Sequence, residues 1–223
     1  ELRSEFTNTV ASPAPWSAES PTRYTLLASV RNPAGALLEI QRCAIGFRTV
    51  TIRDGQLCVN GKAILIKGVN RHEHDPVHGH FVDESSMRAD LALMKQYNIN
   101  AVRTAHYPNT PRWYELCDEY GIYLFAEANI ECDGALAYLS KDAAWKPAFM
   151  ARLQRMVACY RNHPSIIVWS LGNESGFGPH HLEMAAWLRE ADPTRPIHYH
   201  PAGDAAQVDI LAPMYPSIER IIA

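Results

Sequence analysis

Short apolar runs recur along most of the chain, at positions 64–69, 101–103, 122–126, 165–171, 196–199 and 208–214. Near-continuous apolar character is what a parallel strand covered on both faces requires. Between the runs the period changes to one apolar residue every three or four positions, which predicts helices. Asp83 is placed to cap the first helix, whose Met87, Leu91 and Met94 share a face. Thr110-Pro111 opens the second and Gly121 stops it. Phe149, Leu153, Met156 and Tyr160 stripe the third, which must end before Pro164. Leu182, Ala186 and Leu188 stripe the fourth. The link 201–207 is too short for a crossover helix and predicts an irregular connection. Strands and helices alternating in this way build βα units around a parallel sheet.

The first 46 residues read differently. Pro13, Pro15 and Pro21 punctuate a loop-like start, and two β-prone runs, 24–30 and 37–43, flank the turn signal Asn32-Pro33-Ala34-Gly35. A two-stranded hairpin is marginal alone. Residues 1–46 are therefore expected to be the end of an immunoglobulin-like β-sandwich that begins before residue 1. Just after them, Asp54-Gly55 and Asn60-Gly61 predict type I′ turns between short strands.

With 223 residues, 47% hydrophobic and 20% charged, the composition is that of an ordinary globular chain. Lys+Arg 21 against Asp+Glu 24 leaves a net charge of -3, so no basic field for nucleic acid or anionic lipid is expected. No apolar stretch approaches the roughly 18 residues that span a bilayer. The five cysteines, odd in number and without C-x-x-C spacing, predict reduced and mostly buried thiols and a cytoplasmic location. A start at Glu1, with neither Met nor signal segment, leads to the expectation of a piece of a longer chain.

The chemistry is in where polar residues fall. Each apolar run is followed at its C-terminal end by capable side chains: Asn70 to His74, then Arg103 and His106, then Glu127, Asn129 and Glu131, then Asn173-Glu174, then His198 and His200, then Tyr215. In a (β/α) barrel the strand C-termini converge on one pocket, so this placement predicts an incomplete (β/α)8 TIM barrel of about six strands over residues 47–223. Glu174 leaves the most apolar run and is suited to hand over a proton, with the Asn173 amide beside it for a substrate hydroxyl. The histidines at 72, 74, 78 and 80 invite a zinc reading, but no further ligands stand at finger-like spacing. Two other classes stay open: a metal-dependent amidohydrolase using His72, His74 and His198, and a non-catalytic carbohydrate-binding protein.

The stretches Gly68-Val69-Asn70-Arg71-His72-Glu73-His74, Arg103-Thr104-Ala105-His106-Tyr107-Pro108, Glu127-Ala128-Asn129-Ile130-Glu131, Trp169-Ser170-Leu171-Gly172-Asn173-Glu174-Ser175-Gly176 and Pro213-Met214-Tyr215 resemble the β-galactosidase branch of glycoside hydrolase family 2. The resemblance extends over nearly everything from Gly46 to Tyr215. It implies hydrolysis of terminal β-D-galactose from galactosides such as lactose, with Glu174 as general acid/base. Asn173, His72, His106, Arg103 and Tyr215 would contact the sugar or its surroundings. It also implies Mg²⁺ held by Glu131 and Glu174, with Asp133 as a further candidate oxygen ligand, a Na⁺ whose ligands lie outside this segment, and a homo-oligomeric parent enzyme. Two departures matter. Asp133 stands where the family typically has His near the metal, and the family's nucleophilic Glu, after a seventh strand, has no counterpart. Glu219, beyond Tyr215, lacks a preceding strand, so the 223-residue piece alone is expected to be inactive.

Overall fold

Tyr24–Arg31 (β1) and Leu37–Ile45 (β2) pair antiparallel around the predicted turn. In this computed structural model, which describes residues 6–135 and 138–222, both faces of that hairpin are largely exposed, with Leu27, Leu38 and Ile40 in the open. Val50–Arg53 (β3), Gln56–Val59 (β4) and Lys62–Ala63 (β5) form a small antiparallel sheet. Its two turns carry positive φ at Asp54, Gly55, Asn60 and Gly61, as type I′ geometry demands.

The main sheet is parallel and wound in one direction. Gly68–Arg71 (β6), Ala101–Thr104 (β7), Tyr123–Glu127 (β8), Ile166–Asn173 (β9) and Ile197–His200 (β10) lie side by side in chain order. The helices Glu84–Gln96 (α1), Pro111–Tyr120 (α2), Lys146–Tyr160 (α3) and Pro179–Ala191 (α4) connect them, and a short Ile218–Ile222 helix (α5) follows. Asp83 caps α1 by accepting from Ser86 N, and Gly121 ends α2 at φ 71°. No described helix is long and apolar enough to cross a membrane.

Three expectations need correcting. The first strand starts at Gly68 because the Asn100 side chain occupies the backbone before it. Its amide accepts from Lys67 N at 2.8 Å and donates to Leu65 O at 2.9 Å, taking the groups a ladder would use. The sixth run, 208–214, makes a single parallel bridge, Ile210 to His198. There the Asp209 carboxylate captures Ile197 N at 2.7 Å and Pro213 has no N–H to offer, so the parallel sheet has five strands among the described residues. On α4 the buried face is His180, His181, Met184, Ala185 and Leu188, whereas Leu182 and Ala186 face solvent.

All eight residues of β9, which lies between β10 and β8, are buried. Met87, Leu91, Trp113, Leu116, Leu124, Leu153, Met156, Trp169 and Leu188 build the core between sheet and helices. Trp16, from the N-terminal stretch, is also fully buried and packs on Tyr123, Ile167 and Val168 beneath the sheet. The cysteines are free, with Cys58 and Cys117 buried, Cys43 and Cys132 half-buried and Cys159 exposed, fewer buried than composition suggested.

Candidate active site

Parallel strands in register end together, so the residues just past β6, β7, β8 and β9 meet. Asn173, the fully buried last residue of β9, is the hub. Gly172 brings it there. At φ 134° a side chain is rarely tolerated, and a Cβ would stand 2.5 Å from Ile130 O. That approach lets Asn173 N donate to Ile130 O at 2.8 Å, tying the strand end to the loop that carries Glu131. The side-chain amide then works in two directions. Its nitrogen donates to Glu131 Oε2 at 2.5 Å and Glu174 Oε2 at 3.0 Å, and its oxygen accepts from Arg103 Nη2 at 2.7 Å. Glu174 itself sits at a strained φ of 32° and is half-buried.

From Arg103 the contacts continue. Its Nε donates to Glu127 Oε2 at 2.5 Å, and Glu127 Oε1 accepts from His106 Nδ1 at 2.7 Å. Glu127 has no solvent exposure, accepts a third bond from Ser170 Oγ at 2.6 Å, and is backed by its own N–H on Thr104 Oγ1 at 3.0 Å. With Nδ1 committed to the carboxylate, Nε2 is the His106 nitrogen left for a ligand. The His72 ring stands edge-on to His106, centroids 5.3 Å apart. Partial burial, and then the neighbouring His106, holds the His72 pKa below its ordinary 6.5. A run of contacts therefore leads from Glu174 through Asn173, Arg103, Glu127 and His106 to His72.

The structure thus brings together five of the residues singled out from sequence: Glu174, Asn173, Arg103, His106 and His72. Glu131 joins them through Asn173. Tyr215 does not join, being 83% exposed in the segment beyond the isolated bridge. Asp133 does not converge with the carboxylates either; it is exposed and offers its backbone N–H to Glu131 Oε1 at 3.3 Å. Among the described residues no three His, Cys, Asp or Glu side chains form a ready metal cage. Glu131 and Glu174 nonetheless converge on one amide nitrogen. Carboxylate oxygens are the donor type that suits Mg²⁺.

The histidine-rich loop divides its residues. His74 packs edge-on against His80 at 5.4 Å, His80 Nδ1 meets Glu73 O at 3.1 Å, and His78 pairs with Asp75. His72 and His74 therefore serve different neighbours, and His198 is buried in β10 against Ser170 Oγ at 2.9 Å, which removes the geometric basis of the amidohydrolase reading. Glu127 is the functional residue that sequence reasoning left without a role. The available signal was a lone carboxylate closing the apolar run 122–126.

Two buried histidines contribute to the expected acid behaviour. Burial, and then the positive Arg103, pushes His198 down to about 3, while burial and neighbouring His180 push His181 to about 3. Unfolded, each titrates near its ordinary 6.5. Between those values the unfolded chain binds protons the folded one refuses, so stability present above pH 6.5 drains away as pH falls toward 3. Each histidine removes about 1.4 kcal/mol per pH unit. Urea midpoints should decline from pH 6.5 downward, and His181→Leu should flatten the decline; an unchanged slope would contradict this.

Comparison with known proteins gives the family. Residues 50–221 match the model for the glycosyl hydrolases family 2 TIM barrel domain, and residues 2–48 match a second glycosyl hydrolases family 2 model. The chain is 52% identical over 214 residues to a β-galactosidase of Vibrio vulnificus strain YJ016, covering 95% of this chain and 21% of that protein. It is 49% identical over 223 residues to a β-galactosidase of Psychromonas ingrahamii, covering 99% and 22%. It thus spans about a fifth of the length of these relatives. Among solved structures, it resembles the GH2 β-galacturonidase of Eisenbergiella tayi with TM-score 0.75 at 30% identity, covering 86% of this chain and 34% of that one. Bacteroides uniformis β-glucuronidase 3 gives TM-score 0.77 at 28% identity, covering 89% and 26%. With the two family models together matching nearly all of its length, the chain belongs to glycosyl hydrolases family 2.

Proposed function

We propose that this chain supplies the acid/base half of a retaining β-galactosidase active site. The observation that carries the reading is the Asn173–Glu174 pair, fixed at the end of the fully buried strand β9 beside Arg103, His106 and His72. Glu174 protonates the glycosidic oxygen as the leaving group departs and later takes a proton from the water that releases the sugar. The Asn173 amide lies against the Glu174 carboxylate, so a sugar hydroxyl near it is held where the proton must move. His72 and His106 face the ring as positive charge develops on it, His106 fixed by Glu127.

The attacking carboxylate of a retaining pair must stand about 5–5.5 Å from the acid. Among the described residues neither neighbouring glutamate is suited to that part. Glu131 shares the Asn173 nitrogen with Glu174 on one side, and Glu127 is sealed by Arg103, His106 and Ser170. The nucleophile is assigned to a carboxylate supplied by the parent enzyme outside these residues, and the 223-residue chain by itself should not turn over a galactoside. Glu131 and Glu174 would hold Mg²⁺ in the whole enzyme. Its charge would offset the two carboxylates and poise Glu174 for proton transfer. Treating the full-length enzyme with a chelator should lower kcat and move its pH optimum, with recovery on adding Mg²⁺; full activity in the metal-free enzyme would contradict this role.

Galactose is preferred over a uronic acid because the nearby cation is already spent: Arg103 is bound by Glu127 and Asn173. The relatives near 50% identity are named β-galactosidases, whereas the solved structures named for uronides lie near 30%. Assaying the full-length enzyme on nitrophenyl β-galactoside and nitrophenyl β-glucuronide tests the choice. The galactoside should be hydrolysed at least a hundredfold faster, and the reverse order would overturn it.

A further inference from the structure

Glu174 is followed at once by a turn whose backbone needs outside support. Its own N–H reaches His200 O at 3.2 Å, and the next residues, Ser175 and Gly176, lead into the N-terminus of α4. One buried side chain grips both. Tyr199, on β10 and 1% exposed, accepts from Ser175 N at 3.2 Å and donates its phenolic proton to Gly176 O at 2.5 Å. The ring is fixed in turn: His181 of α4 stacks on it with centroids 4.1 Å apart and planes 29° apart, and Phe177 lies 6.1 Å away. His181 is fully buried, and among the described residues neither of its ring nitrogens has a hydrogen-bond partner. Such a residue contributes its face, and here the face supports Tyr199.

We propose that Tyr199 is a positioning residue that clamps the 175–176 turn and so aims Glu174, with His181 as its stacking support. This rests on the assignment of Glu174 as acid/base. A phenol that accepts from the 174–175 peptide and donates to the 176–177 peptide fixes the peptide planes on both sides of the turn. Those planes set the direction in which the preceding Cα at 174, held at positive φ, presents its carboxylate. Precise aim matters most when a proton must pass to a poor leaving group, and hardly at all when the leaving group departs unaided.

The test uses the full-length enzyme carrying Tyr199→Phe, which keeps the ring and its stack on His181 but removes both hydrogen bonds. On a galactoside with a poor alkyl leaving group, kcat should fall about 10–100-fold with KM within about threefold. On the dinitrophenyl galactoside the rate of the bond-breaking step should be nearly unchanged. Equal losses on both substrates, or no loss on either, would overturn the proposal. Glu174→Gln measured alongside separates the two claims: if that variant keeps full activity on the alkyl galactoside, the acid/base assignment has failed, whatever Tyr199→Phe does. Should Tyr199→Phe not fold, amide exchange in the wild-type enzyme decides. A protected Ser175 N–H supports the clamp, and exchange as fast as an open loop overturns it.

Discussion

Replacing Glu174 by Gln in the full-length enzyme should lower kcat for an alkyl galactoside by about 10²–10⁴-fold, the range expected when a positioned acid/base is lost. Gln keeps the length of the side chain and can still meet Asn173, so the hub at the end of β9 should survive. KM should therefore change little, and circular dichroism and thermal unfolding should match the parent. Steady-state kinetics on alkyl and dinitrophenyl galactosides supply the check. Because the dinitrophenyl group leaves without help, galactosyl transfer from it should stay fast while sugar release, now without its base, becomes slow. A Gln variant as active as the parent on the alkyl substrate would remove Glu174 from the mechanism.

Glu127→Ala should be the most destabilising substitution at the site. The carboxylate is wholly buried and satisfies Arg103, His106 and Ser170 together. Removing it leaves the Arg103 guanidinium, itself only 12% exposed, without its counter-charge. Stripping one partner from a buried pair costs about 3–5 kcal/mol, far beyond the near-zero worth of surface pairs such as Arg88 with Glu84. Urea unfolding of the full-length protein should show the loss as a lower midpoint in the transition reporting this domain, and kcat should fall too, because His106 and Arg103 lose their orientation. A change below about 1 kcal/mol would mean the pair is not the anchor its burial implies.

The layout of the candidate site is legible in sequence because parallel strands converge. With Ser165 to Leu171 as a strand, Asn173 and Glu174 have to emerge beside whatever follows the neighbouring strands. His72, Arg103 and His106 were found there. The cap at Asp83 and the stop at Gly121 were equally readable, since each rests on a local side-chain or φ requirement. What periodicity could not show was competition for backbone groups. Asn100 and Asp209 each take peptide partners with a side chain, displacing the start of β6 and preventing a ladder at 208–214. Nor could it show that α4 buries two histidines, because a polar ring that stacks on Tyr199 looks in sequence like a surface residue. Glu127 was visible as a strand-end carboxylate, but its role depends on three partners drawn from β7, the loop after it and β9.

The most direct test of the role assigned to position 174 uses azide. In the full-length enzyme with Glu174→Ala, a dinitrophenyl galactoside can still form the covalent glycosyl-enzyme, and azide then replaces the water that no longer has a base. The account predicts faster turnover with azide and β-galactosyl azide as the product, identified by nuclear magnetic resonance. Formation of α-galactosyl azide would mean that position 174 carries the nucleophile, and no azide effect on a crippled enzyme would mean that it carries neither role.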